Sequence, residues 1–100
     1  MRAVLITDEA QYDLSDIADY LRREAPFRAD EILERLERAC FELSNAAEHY
    51  QLFPGREHRG VRRRVFKPYN ILYRVNGDSV EIVHVLHSAR DVDRLLFPED

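Results

Sequence analysis

Positions 82–91 read IVHVLHSARD, a strand-like run that passes into His87, Ser88, Arg90 and Asp91. A strand has no structural need to end in that cluster, and its residue types could do acid–base chemistry. Cleavage of RNA through its own 2′-hydroxyl needs a base, an acid and cations to stabilise the extra phosphate charge. His87 could move a proton, and Arg62, Arg64 and Arg74 could supply the cations. A second proton-transfer group is harder to find. Tyr69 and Tyr73 fall in a segment that reads as structural, and nothing after Asp91 offers Tyr, His or Lys. On residue types alone, a strand-end His87 bonded to backbone or to Asp91 is the favoured reading.

Other chemistries fit less well. His49 and His58 fall in a loop, while His84 and His87 lie three apart on a strand, where side chains alternate faces. With one cysteine and no HxH or HExxH spacing, no metal site is expected. The glycines Gly55, Gly60 and Gly77 build no Walker or dinucleotide pattern, so no cofactor is implied. A Ser88–His87–Asp91 triad lacks a nucleophile elbow and an oxyanion hole.

The elements that must position these residues follow from periodicity. RAVLI at 2–6 reads as a buried strand. Thr7 or Asp8 offers an N-cap, and Asp8 with Gln11 has capping-box spacing. Ala10, Leu14, Ile17, Ala18 and Leu21 recur at helical spacing, and Pro26 stops that helix near 24–25. Ala29, Ile32, Leu33, Leu36, Ala39, Cys40 and Leu43 give a second helix its apolar stripe. Glu31/Arg35 and Glu34/Arg38 are spaced as i,i+4 pairs outside it. Residues 46–60 read as a long loop. VRRRVF, NILYRV and SVEIVHVLH then read as strands, parted by Lys67–Pro68 and by the Asn76-Gly77-Asp78 turn signal. A short helix over 92–97 precedes Pro98. The order β-α-α-β-β-β predicts a single α+β domain over 1–100, a helical hairpin packed on one face of a mostly antiparallel four-stranded sheet.

Bulk properties agree with one modest core: 45% hydrophobic and 34% charged residues among 100. Cys40 is the lone cysteine, which excludes an intrachain disulfide and points to a reducing, cytoplasmic setting. No apolar run approaches the ~20 residues that span a bilayer, and MRAVLITDEA lacks a signal-peptide pattern. Net charge is −4, unevenly spread. Residues 1–50 carry six Arg against twelve acids, while 56–74 carry seven basic residues and one acid. A basic stripe on an acidic chain suggests a directed contact with an anionic partner; strand arginines lying along an exposed face are the plainer alternative.

The ordered set FPGR, an arginine-bearing strand, PYNILYRV, a polar turn and VEIVHVLHSARD resembles toxins of type II toxin–antitoxin systems in the RelE/ParE superfamily. The N-terminal strand and hairpin extend the likeness to the whole chain. The long hairpin and the LHSARD ending look more like the ParE branch, and DVDRLLFPED lacks the tyrosine usual in the RelE branch. The ParE likeness implies inhibition of DNA gyrase, with no catalytic residues carried over; Arg62, Arg64, Arg74, His87 and Arg90 become candidate target contacts. The RelE alternative implies ribosome-dependent mRNA cleavage by Arg62, Arg64, Arg74 and His87. A third reading is a degenerate member that poisons nothing. Each implies a hetero-oligomer with a cognate antitoxin, ParD-like for the favoured branch, whose segment folds on binding. Tyr12, Tyr20, Phe41 and Arg63 are the candidate contacts to it.

Overall fold

Thr7 ends the first strand, β1 (Ala3–Ile6), and starts the first helix, α1 (Asp8–Glu24). Its hydroxyl accepts from the Ala10 N–H at 3.3 Å and donates to the Ile82 carbonyl at 2.8 Å. One side chain thus caps the helix and ties it to a strand 75 residues away. Thr7 takes the N-cap, so the Asp8/Gln11 capping box does not form. Asp8 and Glu9 fill the first turn, where the helix dipole favours negative charge.

The computed structural model describes residues 1–99. After α1, a turn at Pro26 leads into α2 (Ala29–Phe41), and a single turn, α3 (Leu43–Ala46), follows. Then come β2 (Arg62–Phe66), β3 (Tyr69–Asn76), β4 (Ser79–His87) and α4 (Val92–Leu96). The sheet order is β1-β4-β3-β2. β1 runs parallel to β4, and the other two pairings are antiparallel. The long apolar β4 is therefore interior, as its sequence predicts. Gly77, at φ 59°, takes the first position of the two-residue loop between β3 and β4, where a left-handed backbone favours glycine. The architecture is the expected α+β one.

The hairpin buries its stripe on one sheet face. Leu36, Ala39, Cys40 and Leu43 pack on Ile71, Tyr73, Val80 and Ile82, all at most 1% exposed. Tyr73 carries its polar end to a partner there, donating to the Ala47 carbonyl at 2.7 Å.

The second face is covered as well, beyond what the sequence shows. Phe53, Val61, Leu72, Leu86, Val92 and Phe97 form a separate cluster, with the Phe53 and Phe97 rings edge to face at 5.6 Å. Each such side chain stabilises the fold by about 1.5–3 kcal/mol on burial, so α4 is held by much more than its own five residues of helix. Residues 46–60 are likewise more ordered than a plain loop. Phe53 N–H donates to Val61 O at 2.7 Å and Arg63 N–H to Gln51 O at 3.1 Å. A 3-10 turn at Glu57–Arg59 closes on Gly60.

Candidate functional site

The three consecutive arginines of β2 part to opposite faces, as strand alternation requires. Arg64 turns under the hairpin. Its guanidinium donates to the Ala39 carbonyl at 2.7 Å and to Glu42 Oε1 at 2.9 Å, and lies 5.1 Å from the Tyr50 ring centroid. Ala39 lies in the last turn of α2, where carbonyls lack intrahelical donors and a cation is favoured. Arg62, on the same face, donates to the Tyr50 carbonyl at 2.7 Å. Arg63 takes the other face, 5.3 Å from the Phe53 ring centroid. Arg74 also points to that second face, since its neighbour Tyr73 is buried under the hairpin.

His87 and Arg90 lie elsewhere, at the far end of β4. The five target-contact candidates therefore do not form one surface: Arg62 with Arg64, Arg74, and His87 with Arg90 occupy three places. The SARD cluster has separate duties. His87 Nδ1 accepts from the Ala89 N–H at 3.0 Å, which leaves the ring proton on Nε2. Asp91 is the N-cap of α4, accepting from the Arg94 N–H at 3.1 Å. Ser88 N–H donates to Pro68 O at 2.8 Å across the sheet, and Arg90 N–H donates to His87 O at 2.9 Å to close the turn.

His84 is held by a residue that sequence reading passed over. β1 ends opposite Ile82, so the outer edge of β4 has no strand beside it from there on. Asp13 of α1 fills the gap: its Oδ2 accepts from the Val85 N–H at 2.9 Å and from His84 Nδ1 at 2.8 Å. A register shift between Leu72 and Tyr73, which leaves Val83 unpaired, accompanies this bond pattern.

Where α1 crosses the end of β4, a cavity of about 300 Å³ opens between Asp16, Ile17 and Tyr20 on the helix, Tyr69 and His87 on the sheet, and Arg90 in the turn after β4. Tyr69 is 4% exposed and stands edge-on to His87 at 5.8 Å. Its hydroxyl has no partner among the described residues. Burial, and then the nearby Tyr20 phenol, push its pKa up.

Tyr69 also lines a second cavity, of about 490 Å³, between α2 and the β2–β3 turn. Ile32, Val65, Phe66 and Pro68 supply its apolar part, and Arg28, Arg35 and Lys67 its charge. A third, of about 220 Å³, continues along α2 past Arg35 and Phe66 to Arg38 and Arg64. Shared walls set the three side by side along the hairpin: Tyr69 lines the first and second, and Arg35 and Phe66 line the second and third. Arg28, Arg35, Lys67 and Arg90 have no carboxylate partner among the described residues. The Glu31/Arg35 pair expected from spacing does not form, whereas Glu34–Arg38 does, at 3.3 Å. Arg28, Ile32 and Arg35 lie at i, i+4, i+7, one helix face, and that spacing is the signal by which the second cavity could have been found.

Three of the four antitoxin-contact candidates are exposed on the hairpin, Tyr12 at 74%, Tyr20 at 52% and Phe41 at 50%, with Phe27 fully exposed at the turn; the fourth, Arg63, lies half-buried on β2, away from them.

Helices packed on this four-stranded mixed sheet are the fold of RelE/ParE toxins. The structure resembles a chain of the chromosomal ParDE toxin–antitoxin system of P. aeruginosa, with a TM-score of 0.75 and 23% identity over 87% of this chain and 96% of that one. It also resembles a chain of the toxin–antitoxin complex RelBE2 of Mycobacterium tuberculosis, with a TM-score of 0.63 and 24% identity over 86% and 96%. Comparison with curated protein sequences gives no significant match. The family model described as the ParE toxin of the type II toxin–antitoxin system parDE matches residues 4–92. The chain belongs to the ParE toxin family.

Proposed function

We propose that this chain inhibits DNA gyrase and is neutralised in the cytoplasm by a ParD-like antitoxin that folds over its helical hairpin. The observation that carries the antitoxin half is the exposure of Tyr12, Tyr20, Phe27 and Phe41 on a chain of this family. Four large aromatics exposed on one small hairpin are surface that a partner would cover. A disordered, partly acidic segment would cover those rings and gain its fold in doing so. The gyrase half rests on family membership, with Arg74, His87 and Arg90 as the exposed polar side chains left to meet a target; Arg62 and Arg64 are already spent on carbonyls and on Glu42.

Ribosome-dependent mRNA cleavage draws less support. Arg62 and Arg64 face away from Arg74, and none of the three lines the cavity that holds His87. The test adds purified protein to gyrase, supercoiled DNA and ATP. Cleaved complexes or lost supercoiling, relieved by the antitoxin encoded beside the chain, are expected. An inert protein in that assay, together with codon-specific mRNA cuts on translating ribosomes, would overturn the gyrase reading. Inertness in both would leave the non-toxic member.

A further inference from the structure

We infer that the groove between α2 and the β2–β3 turn, rather than the outer face of the hairpin, holds the acidic part of the antitoxin, with an apolar or aromatic side chain anchored beside Tyr69. The inference rests on the antitoxin reading above and gives it a place and a direction.

Charge complementarity comes first. The chain is acidic overall, yet Arg28, Arg35 and Lys67 converge on one cavity with no carboxylate answering them among the described residues. Other cations are paired, Arg2 with Glu48, Arg38 with Glu34 and Arg64 with Glu42, and what sets Arg28, Arg35 and Lys67 apart from the remaining unpaired arginines is that they share one cavity. Arg35 even forgoes the helix pair its spacing offers with Glu31. Three unanswered like charges repel one another, and an acidic segment would relieve that repulsion.

The apolar floor then separates a polypeptide from a nucleic acid. Ile32, Val65, Phe66 and Pro68 line the same cavity as the three cations, so the occupant must bury hydrocarbon beside its negative charge. A phosphate backbone does not do that, and the acids of α1 that line the neighbouring cavity would repel it. A peptide that alternates Asp or Glu with apolar residues matches both features.

Tyr69 is the hinge of the site. It is nine-tenths buried, its hydroxyl is unpartnered, and it lines both the cationic cavity and the more apolar one under Tyr20. No fully buried side-chain polar atom among the described residues lacks a partner, so the Tyr69 hydroxyl is reached from the cavities it lines and is open to a bond from an occupant. A segment that crosses Tyr69 would supply the bond and would seat its anchor between Ile17 and Tyr20. β2 offers a further hold, since the rung with residues 51–53 stops at Arg63 and leaves Val65 on an open edge.

Lys67 is the only lysine of the chain, which makes the experiment direct. The toxin–antitoxin complex is treated with a zero-length carbodiimide and digested. A Lys67 amide to an antitoxin Asp or Glu is expected. In parallel, antitoxin binding is measured for wild type and for R28E/R35E/K67E, whose circular dichroism and Tm check the fold. The variant should bind on the order of 30-fold more weakly at 50 mM salt and less than about fivefold more weakly at 500 mM, because exposed charges are screened. Binding within threefold of wild type at low salt, or a complex with no Lys67 crosslink, overturns the groove while leaving the antitoxin reading intact. Failure of wild type to bind the antitoxin overturns both. A fluorescent dT15 oligonucleotide serves as the control: tighter binding than the antitoxin, lost in the triple variant, would assign the groove to nucleic acid instead.

Discussion

Replacing Arg64 with alanine should destabilise the protein by about 2–4 kcal/mol, far more than an ordinary strand arginine. A hydrogen bond from a charged donor to a carbonyl contributes about 1.5–3 kcal/mol, and the Ala39 carbonyl that Arg64 meets at 2.7 Å would be left facing an empty space. The ion pair with Glu42 adds little, about 0.5 kcal/mol, because Glu42 is half exposed. Stacking near Tyr50 is worth about 0.5–1 kcal/mol. In a domain this size each kcal/mol moves Tm by about 4–8 °C, so a fall of roughly 10–25 °C is expected. Urea unfolding followed by circular dichroism measures it, with Arg74→Ala as the control at under about 0.5 kcal/mol. If Arg64→Ala unfolds within 0.5 kcal/mol of wild type, Arg64 does not hold α2 to the sheet. Its long side chain would then be free to serve a target, as the basic-stripe reading had it. Loss of toxicity in an Arg62/Arg64 double variant carries functional meaning only after this stability has been measured.

Two further substitutions test the long-range ties. Asp13→Ala removes the acceptor of the Val85 N–H and of His84 at once, and should cost about 2–3 kcal/mol; native-state hydrogen exchange should show Val85 losing protection first, and unchanged protection there would refute the assignment. Tyr73→Phe strands the Ala47 carbonyl at a cost of about 1–2 kcal/mol. Tyr73 also sets an alkaline limit, because burial raises its phenol from 10.0 to about 12. The folded state keeps that proton while the unfolded chain loses it, so stability should fall as pH rises from 10 towards 12. Tyr73→Phe should flatten the fall, and a slope equal to wild type would contradict it.

Much of the fold was legible because its periods are local. Alternation over β2, β3 and β4, the glycine turn at 77 and the apolar stripes of α1 and α2 each occupy neighbouring residues. Alternation also told which β2 arginines share a face, though not what lies beneath it. That Arg64 meets the end of α2 depends on two segments 25 residues apart. Asp13 looked like one more solvated acid on a helix, since nothing nearby in sequence shows that β1 stops short of Val85. The second core escaped for the same reason: Phe53 sits in a turn-rich loop and Phe97 near the chain's end, and only the folded sheet brings them within 5.6 Å. The groove lay between these cases. Its helix stripe was readable, while its cavities required the packed hairpin.

The place of β1 has a consequence in time. Among the described residues β1 has its only ladder partner in β4, so Ile6 waits for Ile82 while the hairpin and the strands between them are made. Until then neither the sheet nor the hairpin's floor is complete, because β3 and β4 also come late. Loop closure over such a span slows folding. Translation that stops early would thus release a strand and two helices with nothing to pack on, a fragment fit for proteolysis rather than for poisoning the cell that made it.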